Sequence, residues 1–199
     1  MLLIDIGADL GRLGEILLEN NQVDYVWNVE LSRAALERSK KIYQSKGLIN
    51  RAEFIYSDGF QNLEPERAGK NSLVIVLAGF GANTTLSILQ AMSKEWLSKK
   101  LCLISLSHTN PIRILEWLEA NGWTLIKEEY LKYRKKIYPI LLFSNYLKRS
   151  CSNLDVPELF LEYWGSHIDN YSKLDSMSSS SAIQRILHTY NQLRRKNIS

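Results

Sequence analysis

The sequence predicts an α/β fold: a doubly wound, mostly parallel sheet with an antiparallel strand pair at its end, followed by a C-terminal helical hairpin. Three observations carry this. Strand-like and helical runs alternate over about 150 residues, the length of one doubly wound domain. The first strand runs directly into an acidic, Gly-containing turn, Leu2-Leu3-Ile4-Asp5-Ile6-Gly7-Ala8-Asp9-Leu10-Gly11. The last two strands are joined through Lys132 to Lys136 alone, which leaves no room for a crossover helix, so they must be antiparallel.

The strand-like runs are Leu2-Ile6, Asp24-Val29, Ala52-Tyr56, Leu73-Leu77, Leu101-Leu106, Leu125-Leu131 and Ile137-Phe143, each a short apolar or β-branched segment bounded by polar residues. A helix is expected after Gly11, with Leu13, Ile16 and Leu17 as its apolar stripe, and others over 31–46, 83–98 and 111–121. Asn121-Gly122 ends the last of these, because glycine turns left-handed after a final helical turn without steric cost. Five parallel strands plus a terminal hairpin form the sheet of class I (Rossmann-like) S-adenosylmethionine-dependent methyltransferases.

Beyond Phe143 the pattern changes. Asp155-Val156-Pro157-Glu158 reads as a helix start, with an acidic N-cap, proline in the first turn and a glutamate three residues on. Apolar residues then recur at Leu159/Phe160, Tyr163/Trp164, Ile168, Tyr171 and Leu174. A serine-rich loop follows from Ser176 to Ser181, and a second stripe comprises Ile183, Ile186/Leu187, Tyr190 and Leu193. Residues 155–195 therefore read as an antiparallel helical hairpin. The chain divides on this basis into 1–148, a cofactor-binding α/β domain, and 149–199, the helical hairpin.

At 199 residues, with 45% hydrophobic and 23% charged residues, the composition is that of a soluble globular chain. The apolar opening meets Asp5 at once, so it does not read as a secretion signal, and the longest apolar run, Leu73 to Ala82, is too short to span a bilayer. Cys102 and Cys151 are isolated and lack metal-ligand spacing. A reduced, cytoplasmic protein without disulfide, metal or membrane association is expected. His108, His167 and His188 likewise form no metal cluster by spacing.

The formal charge is +4, and its placement is uneven. Residues 1–60 carry 7 Lys/Arg against 9 Asp/Glu, whereas 127–149 carry 7 against 2, with Lys132, Arg134, Lys135 and Lys136 nearly consecutive. Such a local patch suits a polyanionic partner, and it equally suits a solvated hairpin tip.

In doubly wound sheets the ligand lies beyond the carboxyl ends of the strands. The first turn has the form Gly-x-x-x-Gly-x-x-Gly (Gly7, Gly11, Gly14) rather than the Gly-x-Gly-x-x-Gly of a dinucleotide site. Asp5, two residues before Gly7, suits a ligand carrying a cation beside a hydroxylated sugar, such as S-adenosylmethionine. Gly7 and Gly11 would let it approach the backbone. Glu30, 23 residues beyond Gly7, is placed to accept from ribose hydroxyls. Ser57-Asp58-Gly59 offers Asp58 to an adenine amino group, and Gly79 and Gly81 follow the fourth strand. Each residue also has a plain alternative: Asp9 as cap of the first helix, Asp58 as a turn residue, Gly79 and Gly81 as a tight loop. Phe80 or Tyr56 could form an aromatic platform, although core packing is the simpler role for Tyr56.

These residues resemble those of the bacterial tRNA (adenine(22)-N(1))-methyltransferases. The family's opening Asp-Ile-Gly-Ser-Asp-His is similar to Asp5-Ile6-Gly7-Ala8-Asp9-Leu10, and its Gly-Asp-Gly-Leu to Ser57-Asp58-Gly59-Phe60. Its Gly-Met-Gly-Gly corresponds to Gly79-Phe80-Gly81-Ala82. Its Arg-x-x-x-Trp-Leu-x-x-x-Gly-Trp corresponds to Arg113, Trp117, Leu118, Gly122 and Trp123, and Pro157 to Trp164 resembles the start of its helical domain.

The resemblance implies S-adenosylmethionine as methyl donor and tRNA as substrate; for that reaction Asp9 is the carboxylate best placed to stabilise the positive charge that shifts onto the target adenine. Cofactor binding would fall to Asp5, Gly7, Gly11, Glu30, Asp58, Gly59, Gly79 and Gly81. Leu10 stands where the family has His, Ala82 replaces its last glycine, and Leu106-Ser107-His108 falls where Gln-Pro-Asn is expected. A catalytically weakened cofactor- or RNA-binding relative and a small-molecule methyltransferase are therefore the alternatives. The chain opens inside the first strand, so the family's N-terminal helical segment is expected to be lacking.

Overall fold

The computed structural model describes residues 1–107, 109–147, 159–171 and 181–196. The strands are β1 (Leu2–Ile6), β2 (Tyr25–Glu30), β3 (Ala52–Tyr56), β4 (Leu73–Ala78), β5 (Leu101–Leu106), β6 (Thr124–Tyr133) and β7 (Lys136–Ser144). They are ordered β3-β2-β1-β4-β5-β7-β6. β1 pairs in parallel with β2 and β4, and β2 with β3, while β6 and β7 are antiparallel. All five residues of β1 are buried, as a strand flanked on both sides in a parallel sheet requires. The chain divides into two compact units, Met1–Gly79 with Ser87–Ile104, and Phe80–Leu86 with Ser105–Ser199.

In the first unit, helix α1 (Arg12–Glu19) packs Leu17 on the core as expected but differs at the other two positions of the stripe. Leu13 and Ile16 are 38% and 44% exposed, while Gly14, Glu15 and Leu18 are buried. The cause is close packing: a Cβ on Gly14 would lie 2.6 Å from both Val26 Cγ1 and the Tyr43 hydroxyl. The glycine edge of α1 thus seats on β2, which turns Leu13 and Ile16 outward. Burial pushes Glu15 towards its neutral form, but hydrogen bonds and charge from Lys46 and Arg12 hold its carboxyl below the usual range.

Helix α2 (Arg33–Ser45) is capped by Ser32, whose hydroxyl accepts from Ala35 N at 3.2 Å. The single helix expected over 83–98 is two, α3 (Ala82–Gln90) and α4 (Lys94–Leu97). Ser93 caps the second, which carries Trp96 into the core edge-on to Trp27, ring centroids 6.3 Å apart. Its indole N–H donates to Leu63 O at 3.3 Å, so the buried ring leaves no polar atom unpaired.

In the second unit, α5 (Pro111–Ala120) opens with its proline in the first turn and ends as the sequence predicts. Gly122 has φ 82°, its N–H donates to Glu119 O, and Trp123 N donates to Leu118 O. Helices α6 (Phe160–Tyr171) and α7 (Ser181–Lys196) pack on each other, and α7 also packs on α5. Their anchorage to β6 is polar as well as apolar. Trp164 Nε1 donates to the Tyr130 hydroxyl, which donates to Glu128 Oε2 at 3.0 Å, while Arg185 Nη1 reaches Glu128 Oε1 at 3.1 Å. Phe160 and Trp164 are fully buried. The expected helix start at Asp155-Glu158, together with Leu174, lies outside the described residues.

Candidate functional site

The β1–α1 turn bends left-handed three times, at Gly7 (φ 76°), Asp9 (φ 48°) and Gly11 (φ 67°). Aspartate is among the few non-glycine residues that adopt this conformation readily. The turn is fastened to the end of β2: Gly7 N and Ala8 N both donate to Val29 O, at 2.8 and 3.1 Å, and Asp9 N donates to Glu30 Oε2 at 3.0 Å.

The Asp9 side chain is exposed. The N-cap of α1 is Gly11, with no side-chain cap, so Asp9 does not serve the capping role open to it on sequence grounds. At Gly11 the missing Cβ faces inward, since it would lie 2.4 Å from Ser39 Oγ and 2.8 Å from Asn28 Oδ1. The Tyr43 hydroxyl donates to Gly11 O at 2.7 Å. The demand for glycine at this position is therefore one of packing as well as of its left-handed backbone.

Glu30, at the end of β2, is held by two backbone donors: Ser32 N to Oε1 at 2.9 Å and Asp9 N to Oε2 at 3.0 Å. An ionised carboxylate has about four acceptor positions, so two remain for hydroxyl donors. Asp5 is only 5% exposed, and no donor among the described residues reaches its carboxyl. Burial, reinforced by the negative charge of Glu30, pushes its pKa up to about 7 from the ordinary 3.8. A buried carboxyl lacking a partner is suited to a ligand that brings a cation.

After β3, the buried Ser57 hydroxyl donates to Gly59 O at 3.1 Å and accepts from Asn62 N at 3.0 Å, which fixes the turn and leaves the Asp58 side chain exposed. Gly59 has φ 57°. Tyr56, beside Glu30 in the β2–β3 register, is 41% exposed and has the Arg33 guanidinium 4.0 Å over its ring, so the core role expected for it is not the one observed. Tyr56 is the last residue of β3, the edge strand of the sheet, so a neighbouring strand flanks it on one side alone. Gly79 (φ 83°) follows β4 into open space, with nothing within 4 Å of where a Cβ would lie.

The first unit thus carries Asp5, Gly7, Asp9, Gly11, Glu30, Asp58, Gly59 and Gly79 at the carboxyl ends of four adjacent parallel strands. Gly81 belongs to the second unit, where with Asn83, Thr84, Thr109 and Arg113 it lines a polar cavity of about 400 Å³. There Ala82 N donates to Thr109 Oγ1 at 3.0 Å and Arg113 Nη1 to Asn83 Oδ1 at 2.8 Å. Leu31, directly after Glu30, is 53% exposed at the same strand end.

The model of the family TrmK, tRNA (adenine(22)-N(1))-methyltransferase, matches residues 3–196. The chain belongs to this family. It is 30% identical over 147 residues to a Mycoplasma genitalium protein provisionally described as a tRNA methyltransferase, an alignment covering 74% of this chain and 63% of that protein. The matched stretch spans a little under two thirds of that relative's length. Two solved structures are similar in fold. M. capricolum TrmK in complex with S-adenosyl-homocysteine aligns with a TM-score of 0.72 at 18% identity, over 98% of this chain and 90% of that one. Streptococcus pneumoniae Sp1610 in complex with S-adenosyl-L-methionine gives 0.69 at 20% identity, over 97% and 90%. The fold of this TrmK-family chain is that of the class I S-adenosylmethionine-dependent methyltransferases. Among its described residues no helix is long and apolar enough to cross a membrane.

Proposed function

We propose that this TrmK-family chain transfers a methyl group from S-adenosylmethionine to N1 of adenine 22 in tRNA, in the cytoplasm. The observation that carries the reading is the family match over residues 3–196, joined to an unpartnered buried Asp5 and a pre-set Glu30 at adjacent strand ends. When bound, S-adenosylmethionine supplies an electrophilic methyl group on a cationic sulfur.

The residues divide the work. Glu30 accepts from the ribose hydroxyls through its two open positions, Asp58 accepts from the adenine amino group, and Asp5 sets its charge against the cationic portion. Gly7 and Gly79 keep the approach to the backbone clear, Gly59 with its left-handed φ 57° turns the chain after β3, and Gly11 fixes the first turn.

The acceptor N1 has an in-plane lone pair and needs no strong base. What the protein must manage is positive charge, which shifts onto the target adenine as the N–C bond forms and the C–S bond breaks. Asp9 is an exposed carboxylate two residues past Gly7, and it stabilises that developing cation. Alignment of nitrogen, carbon and sulfur provides the rest, worth about 7–11 kcal/mol in well-oriented sites. Because N1 lies on the Watson–Crick edge, the base must leave its stack before it reacts.

The test is methylation of an unmodified tRNA transcript by the purified chain, read as N1-methyladenine by mass spectrometry and as a reverse-transcription stop at position 22. Methyl transfer to a small molecule in preference to tRNA would overturn the reading.

A further inference from the structure

The β6–β7 hairpin has two unlike faces. Side chains alternate along a strand, and on one face Glu128 meets Arg185, Tyr130 packs on Phe160 and bonds Trp164, and Lys132 pairs with Glu162 at 2.7 Å. That face is taken up by α6 and α7. The opposite face carries Leu131 and Tyr133, with Tyr138 across from Leu131 and Lys136 across from Tyr133. Leu131 is 55% exposed and Tyr133 58%. Tyr133, Tyr138 and the turn form a concave surface: a cavity of about 440 Å³ lined by these two rings with Arg134, Lys135 and Lys136. No carboxylate lines it. Among the described residues Arg134, Lys135 and Lys136 make no ion pair, whereas Lys127 and Lys132 are both paired with glutamates.

The turn adds an independent observation. Arg134 and Lys135 form a two-residue connection in which Arg134 has φ 54° and Lys135 is not left-handed. Tight hairpins place glycine at a first central position of positive φ, because a side chain there is strained. An arginine at this point lowers fold stability while setting a guanidinium at the apex, 5.3 Å from the Tyr133 ring centroid. Strain held at an exposed tip points to function.

We propose that this outer face of the β6–β7 hairpin binds the RNA substrate, with Tyr133 stacking on an unpaired base and Arg134, Lys135 and Lys136 meeting the adjoining phosphates. The inference rests on the tRNA methyltransferase reading and assigns it a binding surface. Aromatic rings interleaved with unpaired cations are what a single-stranded nucleic acid requires, since every base has a face to stack and every linkage a charge to neutralise.

The experiment measures filter binding of the full chain to a tRNA transcript across a salt series, with melting temperature, cofactor affinity and methylation followed in parallel. Tyr133→Ala should weaken binding about tenfold or more. Arg134→Gly should weaken binding and reduce the steepness of the salt dependence by about 0.7–0.9 for each phosphate no longer neutralised. Its melting temperature should equal or exceed that of the wild type, and both variants should keep wild-type cofactor affinity.

Wild-type affinity and salt slope in both variants, with tRNA still methylated, would overturn the surface and leave the methyltransferase reading standing. Weakened binding in the variants, with no N1-methyladenine from the wild type, would uphold the surface and overturn the reaction. A wild-type chain that binds phosphatidylserine vesicles but not tRNA would overturn both.

Discussion

Removing the negative charge of Asp5 while keeping its shape, by Asp5→Asn, should stabilise the ligand-free protein in a strongly pH-dependent way. The folded chain holds the Asp5 proton up to about pH 7, whereas an ordinary aspartate loses it near 3.8. Between these values the folded state binds the extra proton. The stability contributed by this group is therefore fully present below about pH 3.8, declines as pH rises through about 7, and is flat above. The interval corresponds to about 4 kcal/mol, at about 1.4 kcal/mol per pH unit.

Asparagine carries no such dependence. An unpartnered amide has a desolvation cost of its own, but this cancels when the variant's effect is compared between two pH values. Urea unfolding of both proteins at pH 4.5 and pH 8 should show Asp5→Asn gaining about 3–4 kcal/mol more at the higher pH. Cofactor binding should run the opposite way: a ligand cation beside Asp5 favours the ionised form, so binding near pH 6 releases protons and affinity rises with pH until about 7. Calorimetry in buffers of different ionisation enthalpy measures that release. A pH-independent difference in stability would refute the assignment of a neutral, unpartnered Asp5.

Glu30→Ala removes the acceptor for the ribose hydroxyls and should weaken S-adenosylmethionine by about 1.5–3 kcal/mol, read by calorimetry; unchanged affinity would remove Glu30 from the site. Asp9→Asn keeps a residue suited to φ 48° and caps no helix, so melting temperature and cofactor affinity should hold while methylation of tRNA falls about 100-fold or more. Full activity would assign the charge stabilisation to another group. Gly11→Ala sets a side chain at φ 67° and 2.4 Å from Ser39 Oγ, and should cost about 2–5 kcal/mol in denaturant unfolding. A loss under 1 kcal/mol would show that α1 can shift on β2.

Periodicity made most of the sheet legible. β1, β3 and β5 stand at the residues the apolar runs mark, and the Asn121-Gly122 stop is a backbone signal that packing reinforces. The misreadings share a cause: which face of an element is buried depends on a neighbour distant in sequence. Leu13 and Ile16 form an acceptable stripe until Tyr43 and Val26 close on Gly14. The break at Ser93 follows from where Trp96 must go. In the candidate site the residue types could be read from strand ends, since chain order alone sets which residues come directly after each strand. That Asp9 gives its N–H to Glu30, and that no donor among the described residues reaches Asp5, are tertiary facts with no local signature.

The Trp164–Tyr130–Glu128–Arg185 chain of hydrogen bonds has a consequence for how the C-terminal helices can be studied. Cutting the chain near residue 150 would remove Arg185 from Glu128, Glu162 from Lys132 and the indole of Trp164 from Tyr130, and would uncover the β6 face on which Tyr130 packs against Phe160 and Tyr163. A deletion mutant would therefore report the uncovering of β6 together with any contribution of α6 and α7 to activity. The helices belong to the same compact unit as β6 and β7. An exchange between homologues would have to carry the β6–β7 hairpin along with them, so that strand and helices pass as one inherited block.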